Sequence, residues 1–148
     1  MPPIITRKYQ YALRAVFELA KHTGKGPTKI SAIAAAQSIP PRFLEVILSQ
    51  LKGSGLVDSK RGFYGGYFLT RSPEEITVGE IFRFLVGSSD PAQCVACVSK
   101  KDCPFDGRCA FAAMWEKVTS AINSIYNETT IKDLLENEDG IRKSHIET

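Results

Sequence analysis

Long hydrophobic runs are missing from this 148-residue chain. No apolar stretch approaches the roughly 20 residues that a membrane-spanning helix needs. The first ten residues, MPPIITRKYQ, also lack the apolar core of a secretory signal. These two absences argue against membrane and secreted proteins, and we expect a cytoplasmic protein.

Histidine is scarce, because His22 and His145 are the only two and lie far apart in the sequence. That separation argues against a zinc site of two cysteines and two histidines. The sequence also has no phosphate-binding loop and no recognisable pair of nucleophile and general base. We therefore expect a protein without enzymatic activity.

Cysteine is absent except in one stretch, 94-CVACVSKKDCPFDGRC-109, where the spacing is C-x2-C-x5-C-x5-C. Clustered cysteines in a cytoplasmic protein more often bind metal or take part in redox chemistry than form structural disulfides. Three or four thiolates on one irregular segment suit an iron–sulfur cluster. The residues concerned are Cys94, Cys97, Cys103 and Cys109.

The four cysteines have three alternatives to an iron–sulfur cluster. Four thiolates could hold zinc, although this spacing is unusual for a zinc site. A reversible disulfide could act as a switch without any metal. Four inert thiols are the weakest alternative, because unreactive cysteines are normally scattered and buried.

Charge is distributed unevenly along the chain. Residues 1–72 carry eleven Lys and Arg against three Asp and Glu, a net charge of +8. Residues 73–148 carry eight against thirteen, a net charge of −5. A basic half of this kind favours a polyanionic partner, and nucleic acid is the first candidate.

The basic half has the pattern of a winged helix-turn-helix. Apolar residues at helical spacing predict helices over 6–22, 28–37 and 41–55, with a turn and two prolines before the third. Strand-like segments at 56–60 and 67–70 flank 61-RGFYGG-66 and predict a hairpin. The predicted fold is mainly α with a small β-hairpin wing, followed by a long C-terminal dimerisation helix.

The second half predicts helices over 77–87, 109–128 and 130–138. Apolar residues of the long helix are spaced four, three, four and three apart, which is typical of helices that pair side by side. They are Phe111, Trp115, Val118, Ile122 and Ile125. The alternative is that this helix packs only on its own domain. The predicted units are a winged-helix DNA-binding domain over 1–87, a cysteine-rich cluster-binding loop over 88–108, a dimerisation helix with a terminal helix over 109–138, and a polar tail over 139–148.

The start of the third helix predicts contacts with bases. In a helix-turn-helix the second helix enters the major groove with its N-terminal residues on base edges. Those residues here are Pro40, Pro41, Arg42 and Glu45. Arg42 can donate two hydrogen bonds to guanine, and Glu45 can accept one from cytosine. The alternative for this pair is an exposed ion pair three residues apart.

The wing and the N-terminus predict contacts with the DNA backbone and the minor groove. Arg61 could enter a narrow minor groove, and Tyr64 could bind a phosphate or a sugar. Gly62, Gly65 and Gly66 would let the backbone approach phosphate. Arg7, Lys8 and Lys60 would add phosphate attraction that is independent of sequence. The alternative is that RGFYGG is a plain hairpin turn.

Several pieces of the sequence together resemble the bacterial IscR/NsrR/CymR-type winged-helix regulators along most of the chain. The pieces are YALRAV, IPPRFLEVILSQLKGSGLV, RGFYGGYFL, ITVGEIF, and the C-x5-C-x5-C spacing before a long helix that contains Trp115. The resemblance implies a homodimer that binds a roughly palindromic DNA operator, and we expect the regulator to be a repressor. In cluster-binding members, three cysteines hold a [2Fe–2S] or [4Fe–4S] cluster. Carried over, these are Cys97, Cys103 and Cys109.

The resemblance also implies that iron supply, oxygen or nitric oxide changes DNA affinity through the cluster. This sequence departs from the pattern at the fourth ligand. One branch has a histidine where this chain has Ala112, and another takes a carboxylate from the partner's first helix near the position of Gln10. Cys94 is additional, and our hypothesis is that it is the fourth ligand or replaces one when the cluster changes. Its alternative is a bystander thiol.

Two rival functions stay open at this point. One is a regulator of the same fold without a cluster, which would answer to thiol oxidation or a small molecule. The other is a winged-helix module for protein contact, with the cysteine loop as a structural zinc site.

Overall fold

The structure is a computed structural model that describes residues 6–86, 105 and 108–146. In chain order the elements are α1 (Arg7–Lys21), α2 (Ile30–Gln37), α3 (Pro41–Gly53), β1 (Val57–Lys60), β2 (Gly66–Leu69), a 3-10 turn (Pro73–Glu75), α4 (Val78–Val86), α5 (Ala112–Glu128) and α6 (Ile131–Ile146). The predicted fold, mainly α with a hairpin wing, is confirmed. None of the described helices is long and apolar enough to cross a membrane.

Helix α1 lies at the centre and contacts α2, α3, α4, α6 and β2. Leu13 and Phe17 belong to the apolar repeat from which this helix is predicted, but both are only half-buried. The buried face is rotated toward Ala15 and Leu19, which are 0% and 2% exposed. Neighbouring elements surround most of α1, so a single apolar stripe does not describe its burial.

Helix α3 buries the predicted stripe of four residues, each at most 3% exposed. They are Leu44, Ile47, Leu48 and Leu51. Their spacing places them on one side of the helix against α1 and α2, so the opposite side is left toward solvent.

The wing is an antiparallel pair in which Val57 lies opposite Leu69 and Lys60 opposite Gly66. A third segment joins it just before α2. Thr28 and Tyr67 exchange two backbone N–H···O=C hydrogen bonds, each 2.8 Å long. The wing is therefore fixed directly to the beginning of the helix-turn-helix.

A second backbone bridge closes the C-terminal half. The Val78 N–H donates to the Thr129 carbonyl, and the Ile131 N–H donates to the Ile76 carbonyl, both at 2.9 Å. Ile76 and Ile131 are fully buried beside it. The bridge thus holds the residues just before α4 next to those just after α5.

Two sequence predictions about the C-terminal helices need correction. Helix α5 begins at Ala112, three residues later than predicted, so Phe111 precedes the helix. Helix α6 runs to Ile146 and includes most of the segment that we predicted to be a polar tail. That segment contains Gly140 and few apolar residues, so its helical signal is weak.

Candidate nucleic-acid interface

The turn between α2 and α3 sets the position of the recognition helix. Ser38 has a left-handed backbone with φ of 53°, and the Ile39 N–H donates to the Ala34 carbonyl at 3.0 Å. The Ile39 side chain is 3% exposed and anchors the turn in the core. The Pro40 carbonyl accepts from the Leu44 N–H at 3.2 Å. Pro41 fits the first position of α3, where no backbone donor is needed.

The structure places all four residues predicted to contact bases on the exposed surface at the beginning of α3. These are Pro40, Pro41, Arg42 and Glu45. The alternative, an ion pair between Arg42 and Glu45, does not occur among the interactions of the described residues. Both side chains are therefore available to an external partner.

Sequence reasoning missed two apolar residues on the same helix. Phe43 is 62% exposed and Val46 is 58% exposed. The Phe43 ring lies 6.3 Å from the Tyr11 ring, between centroids. The sequence does carry a signal for both residues, because their spacing places them outside the buried stripe of α3.

The loop of the wing covers residues 61–65 and carries Arg61 as its exposed first residue. Phe63 and Tyr64 form its tip and are 79% and 84% exposed. Their rings meet edge to face, with centroids 5.0 Å apart. The Lys29 ammonium lies 4.9 Å from the Phe63 centroid, so a cation–π contact connects the tip with the beginning of α2.

Two glycines of the wing are required by close backbone contacts within the protein. A Cβ at Gly65 would collide with the Lys60 carbonyl, and one at Gly66 would collide with the Thr28 carbonyl. Glycine is therefore required for the hairpin turn and for the bridge to Thr28. The predicted approach of these glycines to a phosphate stays a prediction.

Further basic residues predicted to contact phosphate are all exposed. Lys60 ends β1, and Arg7 and Lys8 begin α1. Exposure makes them accessible to an anion, and their contacts with DNA stay a prediction.

A buried carboxylate holds the helix-turn-helix to α1. Glu18 is 7% exposed and accepts a hydrogen bond from the Gln37 amide at 2.7 Å. His22 Nε2 lies 3.3 Å from the same carboxylate, and Lys21 Nζ lies 3.6 Å away. Burial alone would raise the pKa of Glu18, but the hydrogen bond from Gln37 and the charge of Lys21, with the contact to His22, lower it below the ordinary value of 4.5. Lys21 also bonds Glu138 of α6 at 2.9 Å.

Of the four cysteines, Cys94, Cys97 and Cys103 lie outside the described residues. Cys109 is half-buried before α5, and its sulfur accepts a hydrogen bond from the Phe111 N–H at 3.4 Å. Backbone N–H···S bonds of this kind suit a metal-bound thiolate. Within the described part of the chain, no three His, Cys, Asp or Glu side chains are grouped as a metal site.

Helix α5 has no buried residue. The predicted pairing residues are half-buried in the middle, at Trp115, Val118 and Ile122, and exposed at the ends. Phe111 is 63% exposed and Ile125 is 62% exposed. The helix contacts its own domain at its C-terminal end, where the Tyr126 ring meets the Phe82 ring at 5.0 Å and Asn127 bonds Arg83. An apolar face of α5 that includes Phe111 and Ile125 therefore remains uncovered by the described part of the chain.

Comparison with known proteins now decides the family. Residues 5–137 match the model of the Rrf2 family, described as an iron-dependent transcriptional regulator. The chain belongs to the Rrf2 family. This confirms the resemblance found in the sequence, and family members with this winged-helix architecture are transcriptional regulators.

Two types of regulator in the Rrf2 family are similar to this chain to almost the same degree. CymR of Bacillus subtilis is 34% identical over 96% of both chains. IscR of Sodalis glossinidius is 33% identical over 91% of this chain and 80% of its own length. The solved structure of B. subtilis CymR, described as a global cysteine regulator, has a TM-score of 0.74 over 93% of this chain and 98% of its own. The structure of T. potens IscR has a TM-score of 0.70 with 34% identity, over 90% of this chain and 86% of its own.

These Rrf2 relatives are named as transcriptional regulators, which confirms that the chain is a DNA-binding regulator and not an enzyme.

Proposed function

We propose that this chain forms a homodimer that represses transcription from a roughly palindromic operator and senses iron, redox or nitric-oxide state through an iron–sulfur cluster. The observation that carries the DNA-binding part is the exposed beginning of α3, where Arg42 and Glu45 have no ion pair within the described chain. Unpaired charged groups at the N-terminus of a recognition helix are suited to base edges. Such a regulator would act in the bacterial cytoplasm.

The proposed dimer interface is the apolar face of α5 around Trp115 and Ile122. An amphipathic helix without a buried residue needs a partner for its apolar side, and a second copy supplies the same side by symmetry. Two α3 helices in a dimer would then read two half-sites of one operator.

For the sensor, we propose Cys97, Cys103 and Cys109 as cluster ligands, with Cys94 as the fourth ligand or as one that exchanges. Support comes from the clustering of all four cysteines in sixteen residues and from the N–H···S bond at Cys109. The Rrf2 family is described as iron-dependent, which also supports a cluster that contains iron. Such a cluster would supply a redox-sensitive group whose charge depends on its state.

A second candidate is a regulator without a cluster that answers to a small molecule or to thiol oxidation. It is favoured by the likeness to B. subtilis CymR, which is described as a global cysteine regulator. In that case the cysteines would act through reversible disulfide chemistry.

The DNA-binding proposal is tested with Arg42→Ala and Arg61→Ala in the full chain. We expect Arg42→Ala to lose about 1–3 kcal/mol of binding free energy on the preferred operator and much less on unrelated DNA. Arg61→Ala should lose more affinity for operators with a narrow minor groove at the contact of the wing than for operators with a wide one. Lys143→Ala, which also removes one positive charge but lies on α6, is the matched control. If both arginine variants bind every promoter fragment as tightly as the wild type, then Arg42 and Arg61 do not contact DNA as proposed.

The sensor proposal is tested by anaerobic purification without chelators, with an absorption spectrum and iron, sulfide and zinc analysis of one sample. Matched iron and sulfide establish the cluster, whereas one zinc per chain makes the cysteine segment structural. A metal-free protein is reconstituted with iron and sulfide, and failure to assemble a cluster favours the second candidate. Cys94→Ala should change the cluster spectrum or its stability, and an unchanged spectrum and lifetime would make Cys94 a bystander.

A further inference from the structure

The Val46 side chain of the recognition helix is neither buried nor able to form a hydrogen bond. Val46 is 58% exposed, whereas the apolar stripe of α3 is at most 3% exposed. Val46 is also absent from the partly buried residues that pack against the core. Its isopropyl group therefore contributes little to the stability of the single chain.

Val46 lies on the side of α3 that faces away from the core. It follows Arg42 by four residues, which places the two side chains one above the other on the same face. Ser49, three residues further, is also exposed and continues this face for another turn. Phe43 is different, because it lies toward α1 and its ring meets Tyr11.

The DNA major groove offers one apolar group, the 5-methyl of thymine, among hydrogen-bonding edges. A branched aliphatic side chain on the reading face of a recognition helix finds its best apolar contact in that group. We infer that Val46 reads thymine in each half-site of the operator through van der Waals contact with its 5-methyl group. This inference rests on the proposed DNA-binding function and adds a specificity element beyond the polar contacts of Arg42 and Glu45.

The test begins with the full chain, purified anaerobically, and a selection of its preferred duplex from random DNA. The thymidines of the selected half-site are then replaced by deoxyuridine one position at a time. Each replacement is made at the same position of both half-sites. Deoxyuridine retains every pairing and hydrogen-bonding group of thymine and lacks only the methyl. Dissociation constants are measured by fluorescence anisotropy, with replaced thymines outside the half-sites as the control.

We expect one symmetric thymine position to respond. Loss of a buried methyl weakens binding about three- to fivefold, so removing two at once should weaken it about ten- to twentyfold. Val46→Ala should lose about as much on the thymine operator and show no further loss when that thymine is replaced. Ser49→Ala, an exposed change on the same face, should keep the full thymine preference.

The same measurements can overturn the inference. If the wild-type protein binds every uracil-substituted duplex as tightly as the thymine duplex, no methyl is read, and this result needs no variant. If Val46→Ala still distinguishes thymine from uracil, another residue reads the methyl. Failure to select any preferred duplex would instead overturn the proposed function itself. Circular dichroism and thermal unfolding establish that Val46→Ala is folded.

Discussion

At the scale of single residues, Glu18 shows how a charge can be kept inside this small protein. It is the one buried carboxylate among the described residues, and its partners come from α1 and from the end of α2. A buried charge of this kind is tolerated only with hydrogen bonds and nearby opposite charge. Because Gln37 precedes the turn of the helix-turn-helix, its hydrogen bond to Glu18 connects α1 with the end of α2.

Replacing Glu18 should therefore lower stability in a pH-dependent way. We expect Glu18→Ala to cost about 1–3 kcal/mol, because the Gln37 amide loses its buried partner. Since folding lowers the pKa of Glu18 below 4.5, its ionised form stabilises the folded state above that pH. The free energy of unfolding of the wild type should exceed that of Glu18→Gln by its full amount at neutral pH. This difference should shrink as the pH falls through the folded-state pKa of Glu18. Urea unfolding from pH 7 to pH 3 measures it, and a difference that stays constant with pH would contradict it.

Gly66 provides a second prediction at the same scale. A methyl group there would collide with Thr28, so Gly66→Ala must break the bridge between the wing and the beginning of α2. We expect a loss of about 1–3 kcal/mol in the free energy of unfolding and weaker operator binding, because the wing moves. Gly62→Ala is the comparison, since its added methyl meets open space and only its positive φ of 111° is strained. Equal effects of the two substitutions would show that the bridge to Thr28 does not matter.

At the scale of elements, the sequence predicts best those helices and strands that are determined by contacts between residues close together in the chain. Helix α3 could be predicted with its buried residues, because Leu44 and Leu48 repeat along one face and Pro41 marks the beginning. The bridge between Thr28 and Tyr67 could not, because it joins segments 39 residues apart and leaves no periodic signal. Val46 was missed for a chemical reason, since an apolar residue in an apolar-rich helix is normally assigned to the core.

Helix α6 shows the limit of sequence patterns most clearly, and it can be tested at Gly140. This glycine lies within the helix, and an added Cβ would meet nothing within 4 Å. Gly140→Ala should therefore raise helix content and stabilise α6 by about 0.5–1 kcal/mol. Far-UV circular dichroism and hydrogen exchange of residues 139–143 would show it. If residues 139–146 did not form a helix, neither measurement would change.

At the scale of the whole molecule, charge and apolar surface are divided between the two halves. The basic half presents α3 and the wing, whereas the acidic half presents the uncovered apolar face of α5. Negative charge near a DNA backbone is unfavourable, so this division favours a dimer whose α5 helices lie away from the duplex.

Ile125→Glu tests this arrangement. Ile125 is 62% exposed in the single chain, so the substitution should leave the fold of the subunit intact. In the proposed dimer the new carboxylate at position 125 would be buried without a partner of opposite charge. We therefore expect the dimer dissociation constant to rise at least a hundredfold. Sedimentation measures the association, and binding to the full operator should weaken far more than binding to a half-site. Ser120→Glu, an exposed position on the other side of α5, should leave the dimer unchanged.

The backbone bridge between Thr77 and Thr130 has a consequence for how such regulators can diversify. The segment from α4 to the end of α5 contains all four cysteines in the sequence, and it begins and ends at this bridge. Because α4 packs on α1 and α3 while the bridge holds the end of α5 beside the beginning of α4, both attachment points of the chain between α4 and α5 are fixed to the core. Under the proposed function, the cysteine segment could therefore change in length or in its ligand set while its two attachment points keep their positions. The same DNA-reading half would then serve regulators that differ in what they sense.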